Sequence, residues 1–290
     1  MRKPDSKSRV PFSPPSRGAA AIVFSACVSS AALAAGDDGF ERSRAPSASV
    51  ELSKNPECKR GRLSCVQRVI DEMARRARSL ARRCDHDALF SIAYLRTTET
   101  FLATAQSLGY EDLPSVVRED AQFADYYLRA FDAYHSGEGY VPPAWQIAFD
   151  AASSTHLPAV GDAFLGFSAH IQRDLPFVLY DLYLEGHPVS HEDHTLVNEF
   201  LAQVDVAAEL AARFDPSYPQ ESDLSLIVQW RETAWQDFER LRAASDLERP
   251  VIAAEIELAA ARSAASLYQS LAYPQGTDSS ERDGYCLANR

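Results

Sequence analysis

Glycine is scarce in this chain, at 12 of 290 residues. Sheet-rich folds need many turns with left-handed backbone, which glycine adopts most readily, so this scarcity argues against a mostly β architecture. Alanine, leucine, arginine and glutamate are abundant instead, and they favour helices. We therefore predict an all-α protein: a single helical domain of about seven to nine helices with a disordered N-terminal segment.

Several sequence motifs of catalysis are also missing. The sequence contains no Gly-rich phosphate loop, no G-x-S-x-G nucleophile elbow and no H-E-x-x-H zinc motif. It has no C-x-x-C pair, and no Glu-x-x-His pair of the kind that binds iron in helical bundles. The commonest signatures of nucleotide binding, acyl transfer and metalloprotease chemistry are therefore absent.

Positive charge is in short supply, because the formal net charge is −12. Binding to nucleic acid rewards Lys and Arg side chains that neutralise phosphates, so we predict no nucleic-acid partner. Two other partner classes, an unknown small molecule or a protein, stay open.

The N-terminal residues 1–35 have the pattern of a secretory signal peptide. Residues 1–17 are basic, residues 18–35 are apolar, and Ala32-Leu33-Ala34 provides small residues for cleavage. An uncleaved anchor and a lipoprotein attached at Cys27 are the alternatives, and we expect membrane contact only through this segment if it is not cleaved. Residues 36–57 have few large apolar side chains and predict a disordered linker. These patterns predict a secreted or periplasmic protein.

Cysteine usage agrees with export. The chain after the predicted signal peptide contains Cys58, Cys65, Cys84 and Cys286, an even number that permits two disulfides. Four cysteines allow three connectivities. A bond between Cys58 and Cys65 would close a short loop, and one between Cys84 and Cys286 would attach the C-terminal tail to the body.

Helical periodicity defines a domain over residues 58–272, followed by a polar tail over 273–290. Within the domain, residues 161–186 stand out as a long apolar segment. Its apolar side chains recur at steps of three and four, and the stripe consists of Phe164, Phe167, Ile171, Leu175, Val178 and Leu182. The stripe runs through Pro176, which has no N–H to donate, so the backbone near 172–176 must be irregular. Either a continuous helix is kinked there, or Asp174 caps a second helix.

Polar residues embedded in this segment form the candidate site. His170, Arg173 and Asp174 lie directly before Pro176, and buried polar groups need partners. His170 and Asp174 are four residues apart, so both can face one point in space.

Imidazole with carboxylate suits a divalent metal such as Zn, Mn or Fe, whose activated water would give hydrolysis. In this hypothesis His170 and Asp174 are ligands or ligand and base, with Arg173 beside them. Neighbouring helices complete the site with His86, Asp125 and His194. The other hypothesis is a noncatalytic binding or structural protein, in which the same residues form a buried network with Arg231 and Glu232 as salt-bridge partners.

Five stretches of the chain resemble the family called domain of unknown function 5995. They are CDHDALFSIAYLRTTE, VPPAWQIAF, LGFSAHIQRDLP, DHTLVNEFL and WRETAW, and the resemblance covers roughly residues 65–245. It implies a helical domain with a shared polar centre, and it implies no reaction. The motif positions correspond to His170, Arg173, Asp174, Pro176, Asp193, Asn198, Trp230, Arg231, Glu232 and Trp235. Ser168 stands where the family more often has Asn, which puts one polar contact in doubt.

Overall fold

The computed structural model describes residues 51–220 and 224–290. The predicted signal peptide and most of the predicted linker lie outside these residues. The described residues are helical, and no strand occurs among them. After a 3₁₀ turn at Leu52–Lys54, the helices are α1 Pro56–Lys59, α2 Leu63–Arg82, α3 Ala88–Thr104, α4 Leu113–Ser136, α5 Pro143–Ser154, α6 Ala159–Ala169, α7 Leu175–Leu184, α8 His191–Leu201, α9 Ala207–Arg213, α10 Ser225–Ala243, α11 Arg249–Leu271 and α12 Ser280–Asn289.

The all-α class is confirmed, while the described residues form more helices than the predicted seven to nine. The additional helices are short segments, such as α1 and α9, which lack several turns of apolar periodicity. Start signals in the sequence are visible in the structure. The Ser190 hydroxyl accepts a hydrogen bond from the Asp193 N–H at 3.1 Å at the start of α8. Pro250 lies in the first turn of α11, where a missing N–H is harmless.

Ordered structure begins before the predicted boundary at residue 58. The backbone N–H groups of Leu52 and Ser53 donate to the two carboxylate oxygens of Asp125, at 2.7 and 2.9 Å. The Leu52 side chain is buried. The last residues of the expected disordered linker therefore pack on α4, because a buried carboxylate in that helix provides acceptors for their N–H groups.

The C-terminal segment also forms more structure than a polar tail. Helix α12 is joined to the end of α2 by a disulfide between Cys84 and Cys286, which are 202 residues apart. The second disulfide joins Cys58 and Cys65. Of the three connectivities that the sequence allows, the structure has the one with the short loop and the attached C-terminus.

Helix α6 continues into α7 through a turn of π-helix at His170–Asp174. The Leu175 N–H donates to the His170 carbonyl, five residues back, which widens the helix directly before Pro176. The predicted irregularity is therefore present, in the form of a continuous helix. The alternative of Asp174 as a helix cap is wrong, since its side chain makes no capping hydrogen bond.

Close packing brings α3 against the start of this π turn. A Cβ atom added at Gly166 would lie 2.4 Å from Cγ of Phe90, so only glycine permits this approach. The ring of Phe90 consequently lies 5.7 Å from the imidazole of His170. None of the helices in the described ranges is long and apolar enough to cross a membrane.

Candidate functional site

Asp174 is the centre of a buried polar cluster in the π turn. Its carboxylate accepts hydrogen bonds from Trp145 Nε1 at 2.8 Å, His170 Nδ1 at 2.9 Å and Arg173 Nη1 at 3.0 Å. The side chain is fully shielded from solvent. Three donors, one of them cationic, therefore replace the water that an exposed carboxylate would have.

Arg173 is equally buried and connects the cluster to α11. Its guanidinium donates to Glu257 Oε1 at 2.7 and 3.0 Å, in addition to Asp174. It also lies over the rings of Tyr126 and Phe177, at 5.6 and 4.9 Å. Burial alone would lower the pKa of Arg173, but the charges of Glu257 and Asp174 outweigh burial and raise it. Arg173 is therefore a permanent cation that ties three helical segments together.

The imidazole of His170 has one nitrogen in this cluster and one outside it. Because the Asp174 carboxylate can only accept, the Nδ1 atom of His170 carries the proton. Burial lowers the pKa of His170 despite Asp174, which keeps the ring neutral. Phe123 stacks on the ring at 3.4 Å between centroids, and Tyr94 meets its edge at 4.7 Å. The Nε2 atom is buried and has no hydrogen-bond partner in the described chain.

Two of the other predicted metal ligands have structural partners elsewhere. Asp125 binds the N–H groups of Leu52 and Ser53, as described above. His194 Nε2 donates to the Arg231 carbonyl at 3.1 Å. Burial, followed by the charge of Arg231, lowers the pKa of His194 far below its usual value.

His86, the fifth predicted ligand, joins the C-terminal helix to the body. Its Nε2 atom lies 2.8 Å from Asp283 in α12, and its Nδ1 atom lies 3.1 Å from Asp162 in α6. Arg282 also pairs with Asp162, at 2.7 Å. Burial lowers the pKa of His86, but Asp162 and Asp283 outweigh that effect and raise it. His86 is therefore a structural link near the disulfide of α12.

The structure does not assemble the predicted five-residue metal set. It brings His170, Arg173 and Asp174 together, and it places His86, Asp125 and His194 in three other contacts. No group of three or more His, Cys, Asp or Glu side chains in residues 51–220 and 224–290 is arranged to hold a metal ion. The sequence indicated which faces these residues occupy, but it could not indicate which faces meet.

The predicted salt-bridge partners also differ from those observed. Glu232 is half-exposed and pairs with His191 at 3.1 Å, remote from Arg173. Arg231 is buried and donates to Asn198 Oδ1 at 3.1 Å and to the His194 carbonyl at 2.7 Å. Arg231 and Asn198 therefore hold α10 against α8, and the partner of Arg173 is Glu257.

Ser168 has a polar contact of its own. Its hydroxyl accepts a hydrogen bond from Gln172 Nε2 at 2.8 Å, and the same amide donates to Ser263 in α11 at 2.9 Å. Ser168 is therefore tied, through Gln172, to α11.

Beside the polar cluster lies a cavity of about 660 Å³. Its walls are mostly apolar and include a group of aromatic rings, and they come from α3, α4, α6, the π turn, α8, α10 and α11. The aromatic members are Phe90, Tyr94, Phe101, Phe123, Phe164, Phe167, Phe200 and Tyr218, and the charged or imidazole members are Glu119, Asp120, His170, Asp205 and Arg231.

Two adjacent carboxyl groups in this wall lack partners. Glu119 and Asp120 make no hydrogen bond or ion pair with any described residue, and Glu119 Oε2 and Asp120 Oδ2 are shielded from solvent. Burial raises the pKa of Glu119 to about 7 against the opposing charge of Arg231. Burial and the neighbouring Glu119 raise the pKa of Asp120 to about 8. The hydroxyl of Tyr94 in the same wall is also buried and unpartnered among the described residues.

Neither Glu119 nor Asp120 belongs to a sequence motif of catalysis or metal binding. A usable pattern exists, because Asp120 is four residues after Val116 and three before Phe123, on the apolar face of α4. A carboxylate on an apolar helix face requires a partner or marks a site.

Comparison with protein families agrees with the resemblance noted in the sequence. The family model described as a family of unknown function, DUF5995, matches residues 66–270. The chain belongs to this family. No curated protein and no solved structure gives a match. In this DUF5995 member the motif residues His170, Arg173 and Asp174 form the buried cluster, and the cavity beside it is the candidate site.

Replacing Asp174 by Asn should test the energetic role of the cluster. Asn keeps the size of the side chain but removes the negative charge that faces Arg173, and its NH₂ group lies near other donors. We therefore expect the free energy of unfolding to fall by about 3–5 kcal/mol. Glu257→Gln is the comparison, and its loss should be smaller because Arg173 retains Asp174. Urea unfolding of both variants measures the difference. Equal losses would contradict the central position of Asp174.

Proposed function

We propose that this protein binds one small, mostly apolar molecule in the cavity beside the π turn. The observation that supports this most directly is the coincidence of a large aromatic cavity with unpartnered polar atoms in its wall. Ligand sites in proteins have this composition: mostly apolar walls with a few polar groups that fix the ligand's orientation. A volume of about 660 Å³ lies within the usual range for such sites.

Energetic considerations favour an occupant. A cavity in a packed helical core forfeits the contacts that its lining atoms would otherwise make, and buried polar atoms without partners add a further penalty. A ligand that fills the space and supplies hydrogen bonds offsets both penalties. The polar cluster of Asp174 supports the site from behind, since it fixes the imidazole of His170 in the wall.

We also place this binding role outside the cytosol. Two disulfides, one of which attaches α12, support an oxidising compartment, in agreement with the predicted signal peptide. The expected result is that protein recovered from the medium or the cell envelope starts near residue 35. N-terminal sequencing of that protein checks this, and an intact Met1 in cytosolic protein would contradict it.

Filling the cavity with a larger side chain should weaken binding of an apolar probe. We expect Val197→Trp, which projects a large ring from the wall, to weaken binding of the neutral dye Nile red at least tenfold, measured by fluorescence titration. Val251→Trp is the matched control, because Val251 is 58% exposed on α11 and does not line the cavity.

Melting temperatures of both variants show whether each is folded, and Leu267→Trp provides a second filling variant from another wall. Equal dye binding by the wild type and both filling variants would contradict a ligand site in this cavity.

A second candidate function is hydrolysis with His170 as general base. The Nδ1–H group of His170 donates to Asp174, while Nε2 carries no proton and has no partner among the described residues. In this arrangement an imidazole can accept a proton from water or a substrate hydroxyl. No metal is needed for this step. Nε2 is shielded from solvent and the cavity is mostly apolar, so binding is our first proposal.

His170→Gln separates the two functions. If His170 is a general base, hydrolysis of a panel of chromogenic esters should fall at least 100-fold in this variant, while Nile red binding changes little. Initial rates with equal amounts of folded protein provide the measurement. Unchanged hydrolysis in His170→Gln, or no hydrolysis by the wild type, would remove this candidate.

A further inference from the structure

We propose that the ligand of the cavity carries a protonated amine, which binds at Asp120 with Glu119 and Tyr94 beside it. This inference rests on the proposed ligand-binding role and adds the chemical class of the ligand. The unpartnered atoms of the wall share one property, the ability to accept a hydrogen bond.

The unpartnered atoms can all act as acceptors. Asp120 Oδ2, Glu119 Oε2 and His170 Nε2 provide lone pairs, and the Tyr94 hydroxyl accepts as well as donates. For His170 this follows from the proton on Nδ1, which is directed at Asp174. Once the two acids are ionised, a ligand that satisfies such a set must bring donors. An ammonium group has three donors and no acceptor, whereas a carboxylate has acceptors only.

The charges around Asp120 also favour a ligand that carries a positive charge. The titratable groups of the surrounding wall are Glu119 on the same helix, Tyr94 on α3, His170 in the π turn, Asp205 after α8, Tyr218 before α10 and Arg231 on α10. Arg231 is the cation among the lining residues that the structure describes, and it makes no ion pair within them.

The positive charge of Arg231 compensates the negative charge of Glu119 rather than that of Asp120. Its charge lowers the pKa of Glu119, while the influences on the pKa of Asp120 are burial and the negative neighbour Glu119. The guanidinium of Arg231 already donates to Asn198 and to the His194 carbonyl. Asp120 therefore lacks a compensating cation, and a ligand ammonium would provide one.

Aromatic rings complete an environment suited to a cation. Phe90, Tyr94 and Phe123 line the cavity around the His170 imidazole, and Tyr94 lies 6.0 Å from Phe123. The faces of such rings attract ammonium groups, most strongly where water is excluded. The remaining apolar wall would hold the hydrocarbon part of the ligand. The chemical class is thus an amine with a hydrophobic chain or ring.

Binding of a cation should release protons. Burial holds the pKa of Asp120 at about 8 and that of Glu119 at about 7, so in the free protein the protonated acids are well populated near neutral pH. The ammonium stabilises the ionised carboxylate and lowers its pKa in the complex. Affinity for an amine should therefore rise as pH increases from about 6 to about 8, by at most about tenfold per pH unit for one proton.

Three probes of equal chain length test the chemical class on the full protein. They are n-octylamine, n-octanol and octanoate, and their affinities are measured by displacement of Nile red at about pH 6, 7 and 8. We expect octylamine to bind at least tenfold more tightly than octanol at about pH 8, with a smaller preference at about pH 6.

The variant Asp120→Asn should reduce the preference for octylamine over octanol to about threefold or less, because octanol carries no charge for the carboxylate to compensate. Asp71→Asn is the matched control, because Asp71 is exposed on α2 and does not line the cavity. If Asp120→Asn does not fold, Glu119→Gln and the wild-type pH series still test the proposal.

Equal binding of octylamine and octanol at all three pH values would overturn the amine proposal while leaving the cavity as a binding site. Tightest binding of octanoate would overturn it in favour of an anion at Arg231. Absence of Nile red binding to the wild type would instead overturn the proposed function itself, so the two failures are distinguishable.

Discussion

A fully buried carboxylate, that of Asp174, is the constraint on which the rest of the fold's centre depends. Such a group is tolerated only when donors replace its hydration, and here they come from Trp145, His170 and Arg173. Two of these donors lie in the same widened turn as Asp174 itself. The π turn therefore solves two problems at once: it accommodates Pro176, which cannot donate to the helix, and it turns three polar side chains toward one another.

The same cluster determines the shape of the cavity. Asp174 fixes the plane of the His170 ring, and Phe123 stacks on that plane. Phe123 is on α4, one turn after Asp120 and Glu119, so placement of its ring also places the two acids in the wall. The acids are thus held at the cavity by aromatic packing rather than by hydrogen bonds of their own. This explains how the two carboxyl groups stay in the wall without hydrogen bonds from the protein.

Local features of this fold could be predicted from sequence, and long-range pairings could not. The stripe through Pro176 required an irregular helix, because that constraint depends on neighbours within one turn. The contact of Arg173 with Glu257 spans 84 residues, and many other acids were equally available on helical faces. The described residues do not bring the predicted metal set together, and the reason is the same: periodicity shows which face of a helix is buried, but not which helix it meets.

Asp174 and the polar groups of the cavity wall differ in how far their hydrogen bonds are satisfied. Both carboxylate oxygens of Asp174 have donors, which is the expected state of a structural cluster. In the cavity wall the unpartnered atoms can all accept a hydrogen bond, which is costly while they stay unpaired and favourable when a donor enters. His170 belongs to both regions, with Nδ1 in the cluster and Nε2 in the wall. A ligand that binds at the wall would therefore act directly on the group that orders the π turn, so occupancy of the cavity and stability of the central helix must be linked.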